Sequence, residues 1–139
     1  MAMQFSVNLS FPGNAAAAFR HYQQIFGGEL ELLTYGDMRM DDLPFDPPAD
    51  AVAHATLTVG TLSIAGSDAM EQDAPGLGSD VYSLLLQFDS VAEAEGVVEK
   101  FLAGGAEAVM PFEPAPWGDH HGQVRDRFGV LWMFNATEG

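Results

Sequence analysis

The chain opens with a run in which apolar and polar residues alternate. The apolar members of this run are Phe5, Val7, Leu9 and Phe11. A period of two places alternate side chains on opposite faces of an extended backbone, so residues 4–11 are predicted to form a β-strand. Pro12-Gly13 follows at once and is expected to end the strand.

Helical spacing then replaces the alternation. The apolar stripe consists of Ala15, Ala18, Phe19, Tyr22, Ile25 and Phe26. Such a stripe predicts an amphipathic helix that buries one side. Asn14 is expected to cap the helix by accepting a backbone N–H, and Gly27-Gly28 to end it. His21 lies outside the stripe and is expected at the surface.

The first half continues with strands and a long loop. Residues 29–35 predict a strand, and residues 51–59 and 61–65 predict a hairpin around Gly60. Residues 36–50 hold three prolines and five aspartates, which suit neither a helix interior nor a central strand. Residues 66–80 predict a second polar loop.

The same order of elements then returns. Residues 81–88 predict a strand, and Ser90 with Glu93 forms a capping box before a second apolar helical stripe. Gly104-Gly105 ends that helix, and residues 106–112 predict a strand. A last hairpin runs from Trp117 to Trp132, with its turn at residues 126–129.

Fixed offsets relate the two halves. Gly27-Gly28 and Gly104-Gly105 are 77 residues apart, and so are Phe11 and Phe88. The hairpin glycines Gly60 and Gly129 are 69 apart, and that offset matches His54 with Gln123. We interpret the chain as a single domain of two βαβββ modules, residues 1–68 and 80–139, joined by a linker at 69–79.

One helix and four strands cannot bury both faces of a sheet. Pairing the modules would solve this, and it predicts an α+β fold in which an incomplete mixed β-barrel carries its helices outside and a cleft at its centre.

Composition narrows the function. The 139 residues include 20 acidic and 5 basic side chains, a formal charge of −15 that disfavours nucleic-acid binding. The absence of cysteine excludes disulfides, thiol catalysis and iron–sulfur clusters. The sequence has no recognisable signal peptide and no apolar run of membrane-spanning length, so we expect a cytoplasmic protein without a membrane partner.

Several short motifs resemble one family. They are Phe19-Arg-His-Tyr22, Ile25-Phe-Gly-Gly28, His54-Ala-Thr-Leu57, Trp117-Gly-Asp119 and Asp126-Arg-Phe-Gly-Val-Leu-Trp132. With the repeat, they resemble the vicinal oxygen chelate superfamily of glyoxalases, bleomycin-resistance proteins and extradiol dioxygenases. Within it the chain is most similar to the PhnB-like branch, sometimes labelled 3-demethylubiquinone methyltransferase-like, although Arg127 replaces the branch's usual proline.

The resemblance implies paired βαβββ modules and commonly a homodimer, but no single reaction. It also implies His, Glu or Gln metal ligands on the first and last strands of each module. The matching positions here are Ser6 or Asn8, Ser83 or Leu85, and residues near Ile64 and Met133. Such a set suits Zn, Ni or Fe poorly, so we expect no metal cofactor of the usual kind.

A displaced metal site is the alternative. His54 with His120 or His121, near Asp119 and Glu113, would hold Zn, Ni, Mn or Fe. The metal would then support a lyase, isomerase or dioxygenase reaction. Adjacent histidines on a strand face opposite ways, which weakens the His120–His121 pair as a chelate.

The favoured hypothesis is a module that binds a small planar ligand in the cleft without metal catalysis. Its predicted ligand-binding residues are Asn8, His54, Trp117, Asp119, His121, Arg125 and Trp132. Trp117, Trp132 and Phe134 would supply flat apolar walls, and core packing is the alternative for all three. Arg125 would orient an anionic group, or form an ion pair with Asp119 or Asp126.

Two other functional classes bear on the interpretation. A methyltransferase is not expected, because its cofactor would need a doubly wound parallel sheet, whereas this chain alternates as hairpins. A structural or regulatory role, in which dimer formation is the whole purpose, stays open and would be favoured by a large exposed apolar patch.

Overall fold

The computed structural model describes residues 3, 5–37, 50–69 and 77–137. The chain forms two compact units that divide between residues 76 and 77. Within these described residues, each unit has one helix and four strands in the order βαβββ, so the predicted α+β fold of two βαβββ modules is confirmed. Most of the predicted loop 36–50 and of the linker 69–79 lies outside the described residues, and the central cleft stays a prediction.

Unit 1 is a four-stranded mixed sheet with one helix. Its elements are β1 (Val7–Phe11), α1 (Ala15–Phe26), β2 (Glu29–Thr34), β3 (Val52–Val59) and β4 (Leu62–Asp68). The strand order is β1-β4-β3-β2. β1 pairs parallel to β4, and the other pairs are antiparallel.

Unit 2 repeats this architecture. Its elements are β5 (Leu84–Phe88), α2 (Val91–Ala103), β6 (Glu107–Pro114), β7 (His120–Arg125) and β8 (Leu131–Ala136). The strand order β5-β8-β7-β6 again pairs the first strand parallel to the last. Among the described residues, no helix has the length and apolar character needed to cross a membrane.

Aromatic residues fill the core of unit 1. Phe11, Phe19 and Tyr22 are fully buried, and the Phe11 and Phe19 rings meet edge to face with centroids 5.8 Å apart. His21 is only 8% exposed, so its predicted surface position is wrong. It lies three residues after Ala18 and four before Ile25, and that spacing places it at the edge of the buried stripe.

The start of α1 is held from a distance. The Asn14 side chain makes no capping hydrogen bond, so the predicted cap is wrong. The buried carboxylate of Asp68, at the end of β4, accepts hydrogen bonds from Ala15 N at 2.9 Å and from Val52 N at 2.9 Å. One carboxylate therefore ties the helix start to the start of β3.

In unit 2 the corresponding core is built on Trp132. Its ring is fully buried and lies 5.2 Å from the ring of Phe101 on α2. Asp126 accepts hydrogen bonds from Trp132 Nε1 at 2.9 Å and, through its other oxygen, from Phe128 N and Val130 N. The Asp-x-Phe-Gly-x-x-Trp motif is thus a turn pinned by one buried carboxylate. The second helix begins as predicted on this side, because Ser90 Oγ accepts from Glu93 N.

The two hairpins have loops of different length. In unit 1, Val59 pairs with Leu62 and leaves two loop residues. In unit 2, Asp126 N donates to Val130 O and leaves three. Gly60 is the first residue of its loop and Gly129 is the third, so aligning these glycines shifted β7 by two residues, and the predicted match of His54 with Gln123 is wrong. The strand pairing matches His54 with His121, 67 residues apart, and Thr56 with Gln123.

Candidate functional site

Among the described residues, each sheet has one face covered by its helix and a second face that carries no helix, which we call the open face. In unit 1 the covered face carries Leu57 and Ile64, both fully buried. In unit 2 it carries Val124, Trp132 and Phe134. Because side chains alternate along a strand, the neighbours of these residues lie on the open face. The open faces carry Thr56 in unit 1 and His121, Gln123 and Asn135 in unit 2.

The strand register aligns four residues across each open face. In unit 1 these are Glu31, Thr56, Ala65 and Asn8. In unit 2 they are Met110, Gln123, Met133 and Leu85. We call each set the central row of its unit. The central row of unit 1 has three polar side chains and one alanine. The central row of unit 2 has three large apolar side chains and one amide.

A polar row lies beside the central row of unit 2. It consists of Glu113, His121, Asn135 and Gln87. Asn135 Nδ2 donates to Asp119 Oδ2 at 3.1 Å, which ties this row to the loop before β7. Two backbone hydrogen bonds, Ala115 N to Asp119 O and Gly118 N to Ala115 O, close that loop. The loop that carries Trp117 is therefore fixed to the open face.

A cavity of about 220 Å³ lies at the open face of unit 2. Its walls include Met110, Pro116, Trp117, His121 and Glu113. The Trp117 side chain is 62% exposed, yet its ring meets the His121 ring edge to face with centroids 5.5 Å apart. A large aromatic side chain thus forms an uncovered wall above a nearly buried imidazole.

The imidazole of His121 is held by its neighbour on the same face. It is 9% exposed, and its Nε2 lies 3.2 Å from Nε2 of Gln123. In unit 1, His54 Nε2 lies 3.0 Å from Thr56 Oγ1 in the matching arrangement. A neutral imidazole has one donor and one acceptor nitrogen, so the orientation of the neighbouring group selects its tautomer. Both units therefore present a positioned histidine at the same place.

At the positions where the family holds a metal, this chain has side chains of other types. On the open faces, the first and last strands place Asn8 beside Ala65 and Leu85 beside Met133. Ile64, near which one ligand was expected, lies on the helix-covered face and is fully buried. These four open-face residues offer one amide and one thioether but neither imidazole nor carboxylate. They do not fit a divalent ion of the family's kind.

The two adjacent histidines named for the displaced metal site face opposite sides of β7. His120 contacts Phe112, with ring centroids 5.7 Å apart, whereas His121 faces Trp117 on the other side of β7. His54 belongs to unit 1. Within the residues that the structure describes, no three His, Asp or Glu side chains are grouped so that they could hold a metal.

Three of the predicted ligand-binding residues form contacts that stabilise the fold. Trp132 is fully buried under α2, so its predicted role as a ligand wall is wrong. Arg125 forms an ion pair with Asp80 at 2.5 Å and donates to Gly129 O at 2.9 Å, so it is engaged with a partner that the sequence did not suggest. Asp119 anchors the Trp117 loop through Asn135.

The remaining predicted residues are divided between the two open faces. Asn8 and His54 lie on the face of unit 1, and Trp117 and His121 lie on the face of unit 2. Sequence reasoning missed Met110 and Met133, because their place beside Gln123 depends on pairing across strands. The two-residue spacing of His121 and Gln123 on one strand was the signal available for Gln123.

Comparison with known proteins places the chain in a family. The model of the Glyoxalase/Bleomycin resistance protein/Dioxygenase superfamily matches residues 8–134. Protein YjdN of Escherichia coli (strain K12) is 34% identical over 148 residues, which covers 98% of this chain and 97% of that protein.

Solved structures agree with this assignment. Protein PA1353 from Pseudomonas aeruginosa superposes with a TM-score of 0.82 at 36% identity, covering 99% of this chain and 100% of the other. The PhnB protein of Bacillus cereus, a putative 3-demethylubiquinone-9 3-methyltransferase, gives a TM-score of 0.73 at 21% identity over 97% and 100% of the two chains, which supports the fold alone. The chain belongs to the glyoxalase/bleomycin resistance protein/dioxygenase superfamily, as its motifs predicted.

Proposed function

We propose that the protein binds a small planar ligand on the open face of unit 2 and holds it without metal chemistry. The observation that carries the proposal is the exposed indole of Trp117 above the nearly buried imidazole of His121, at the mouth of a cavity of about 220 Å³. A flat apolar wall beside a fixed hydrogen-bonding group is a common design for binding small molecules.

The apolar contribution comes from Trp117, Met110 and Pro116. When a ligand covers a large aromatic side chain that is exposed to water, the free energy falls by roughly 25 cal/mol per Å² of apolar surface removed from water. Met110 is 45% exposed and adds a side chain that adapts to different shapes. A stacked planar ligand would cover both residues.

The polar contribution comes from His121. Its contact with Gln123 restricts the ring, so little side-chain entropy remains to be lost when a ligand forms a hydrogen bond. Glu113 is the other ionisable lining residue, and Arg125 is engaged by Asp80 and two carbonyl groups. These surroundings favour a neutral or cationic ligand over the anionic one that Arg125 suggested.

The size of the cavity limits the ligand. Sites for drug-sized molecules usually enclose about 300–1,000 Å³, whereas this cavity encloses about 220 Å³. A ligand of one or two fused rings suits that volume. A protein that covers such a ligand without transforming it would act by sequestering or carrying it.

Tryptophan fluorescence tests the proposal, because the two indoles differ in exposure. Titration with a panel of neutral and cationic bicyclic heteroaromatic compounds is expected to quench Trp117 saturably and to leave the buried Trp132 unaffected. The Trp117→Phe variant isolates Trp132 and is expected to show no quenching. Saturable quenching that persists in Trp117→Phe would contradict the proposal, as would a complete lack of binding across the panel in calorimetry.

A further inference from the structure

A second cavity in unit 2 lies on the helix side of the edge strand. It encloses about 330 Å³ between α2 and β6, and it shares only Met110 and Pro111 with the lining of the open-face cavity. We infer that this second cavity is a binding site for a small amphiphilic cation, meaning an apolar body that carries one ammonium-type group.

The walls of the second cavity are mostly apolar. They include Val98 and Leu102 of α2, Ala108 and Phe112 of β6, and Val124 of β7. Leu102 is 40% exposed, and the neighbouring Val109 of β6 is 51% exposed. An apolar occupant that displaces water from this apolar surface lowers the free energy of the system.

The shape of the cavity follows from the irregular pairing of β6. The register between β6 and β7 shifts twice, once on each side of Met110. Gly122 permits the strand to come close, because a Cβ at this position would lie 2.7 Å from the Cα of Phe112. The bulged edge strand β6 thus lies between the two cavities.

The charged residues of the second cavity specify the sign of the occupant. Glu95 and Glu99 line it from successive turns of α2, and none of its lining residues is basic. Like charges four residues apart on a helix repel each other. A cation placed between them removes that repulsion, and the formal charge of −15 on the chain further favours a cationic occupant.

Octylammonium, 1-octanol and octanoate provide matched probes, since they share one apolar chain and differ in the charge of the head group. In calorimetric titrations of the full chain, octylammonium is expected to bind up to about tenfold more tightly than octanol, which is the most that two exposed carboxylates allow. Octanoate is expected to bind most weakly.

Two double variants separate the local effect from the overall charge. Glu95→Gln/Glu99→Gln is expected to bring the affinities for octylammonium and octanol together. Glu29→Gln/Glu31→Gln removes the same number of charges from exposed residues of β2 in unit 1 and is expected to keep the preference. Ala108→Trp, which fills the cavity, and Leu102→Ser, which weakens its wall, are expected to reduce binding of both probes.

Several results would overturn the inference. They are the absence of saturable binding for octylammonium, equal affinities for octylammonium and octanol in the unmodified chain, and an equal loss of preference in both double variants. Sedimentation of the unmodified chain and of Ala108→Trp gives a further check. A dimer that dissociates in Ala108→Trp would mean that a second copy of the chain covers this surface instead.

Discussion

The open faces of the two units share a backbone plan but differ in side-chain volume. His54 and His121 occupy matching positions, and each contacts the residue two places further along its strand. The central row of unit 1 is Glu31, Thr56, Ala65 and Asn8, whereas that of unit 2 is Met110, Gln123, Met133 and Leu85. The repeat has therefore kept the histidine while the surroundings have diverged.

This difference indicates which unit is suited to hold an apolar ligand. Thr56 and Ala65 provide little apolar surface, whereas Met110 lines the cavity and can cover a flat ring, and Met133 lies beside Gln123. Trp117 adds an aromatic wall that the Asp119–Asn135 hydrogen bond fixes in place. A positioned histidine alone does not make a binding site. The apolar surface beside the histidine determines which unit can hold an apolar ligand.

The largest expected effect concerns the carboxylates that fix each unit. Asp126→Ala leaves two backbone N–H groups and the Trp132 indole N–H without this acceptor. Unpaired buried donors cost about 1–3 kcal/mol each, so we expect the free energy of unfolding in urea to fall by about 3 kcal/mol or more.

Two controls sharpen this prediction. Asp68→Ala removes the acceptor for Ala15 N and Val52 N in unit 1 and is expected to cost about 2 kcal/mol. Asp80→Ala removes an exposed ion pair with Arg125 and is expected to cost less than about 1 kcal/mol. Equal losses in Asp126→Ala and Asp80→Ala would show that the buried turn is not pinned as described.

The next effect concerns the two histidines. His121→Ala is expected to weaken binding of the planar ligand about tenfold, because it removes a restrained hydrogen-bonding group from the cavity wall. His54→Ala is expected to leave the affinity unchanged. Calorimetry on both variants tests the comparison directly, and a larger loss in His54→Ala would reverse the assignment of the site to unit 2.

A smaller effect is expected from the central rows. Met133→Ala shortens one apolar side chain to the size of its counterpart, Ala65. Met133 lies beside Gln123 but does not line the cavity, so we expect only an indirect loss of affinity of about threefold or less. Ala65→Met is the reciprocal variant, and any gain of affinity there would argue against the division between the units.

No effect is expected from metal removal. Neither open face presents imidazole or carboxylate at the family's ligand positions, so dialysis against a chelator should leave ligand affinity unchanged. Elemental analysis before and after dialysis, with titration of both samples, measures this. Affinity that falls on chelation and returns with Zn²⁺ would support the metal-dependent alternative.

Local patterns predicted most of the fold. The helical stripes, the Gly-Gly stops and the alternating strands depend on neighbours in sequence, and the structure confirms them. The wrong predictions concern features that depend on residues distant in sequence. Asp68 caps α1 from the far end of β4, which made the prediction for Asn14 wrong. The different place of the glycine in the two hairpin loops concealed the match of His54 with His121.

The site was less predictable than the fold for the same reason. For both Trp117 and Trp132 the sequence left a ligand wall and core packing open, and alternation along β8 buries Trp132 against Phe101. Met110 and Met133 come beside Gln123 only through cross-strand pairing. The homodimer implied by the family stays a prediction.

The most direct test of the account uses the two indole N–H signals in a proton–nitrogen correlation spectrum of the intact chain. Addition of the tightest-binding planar compound is expected to shift the Trp117 signal. The Trp132 signal, whose N–H donates to Asp126 at 2.9 Å, is expected to stay in place. A ligand that binds while Trp117 stays unchanged, or that shifts Trp132 alone, would contradict a binding site on the open face of unit 2.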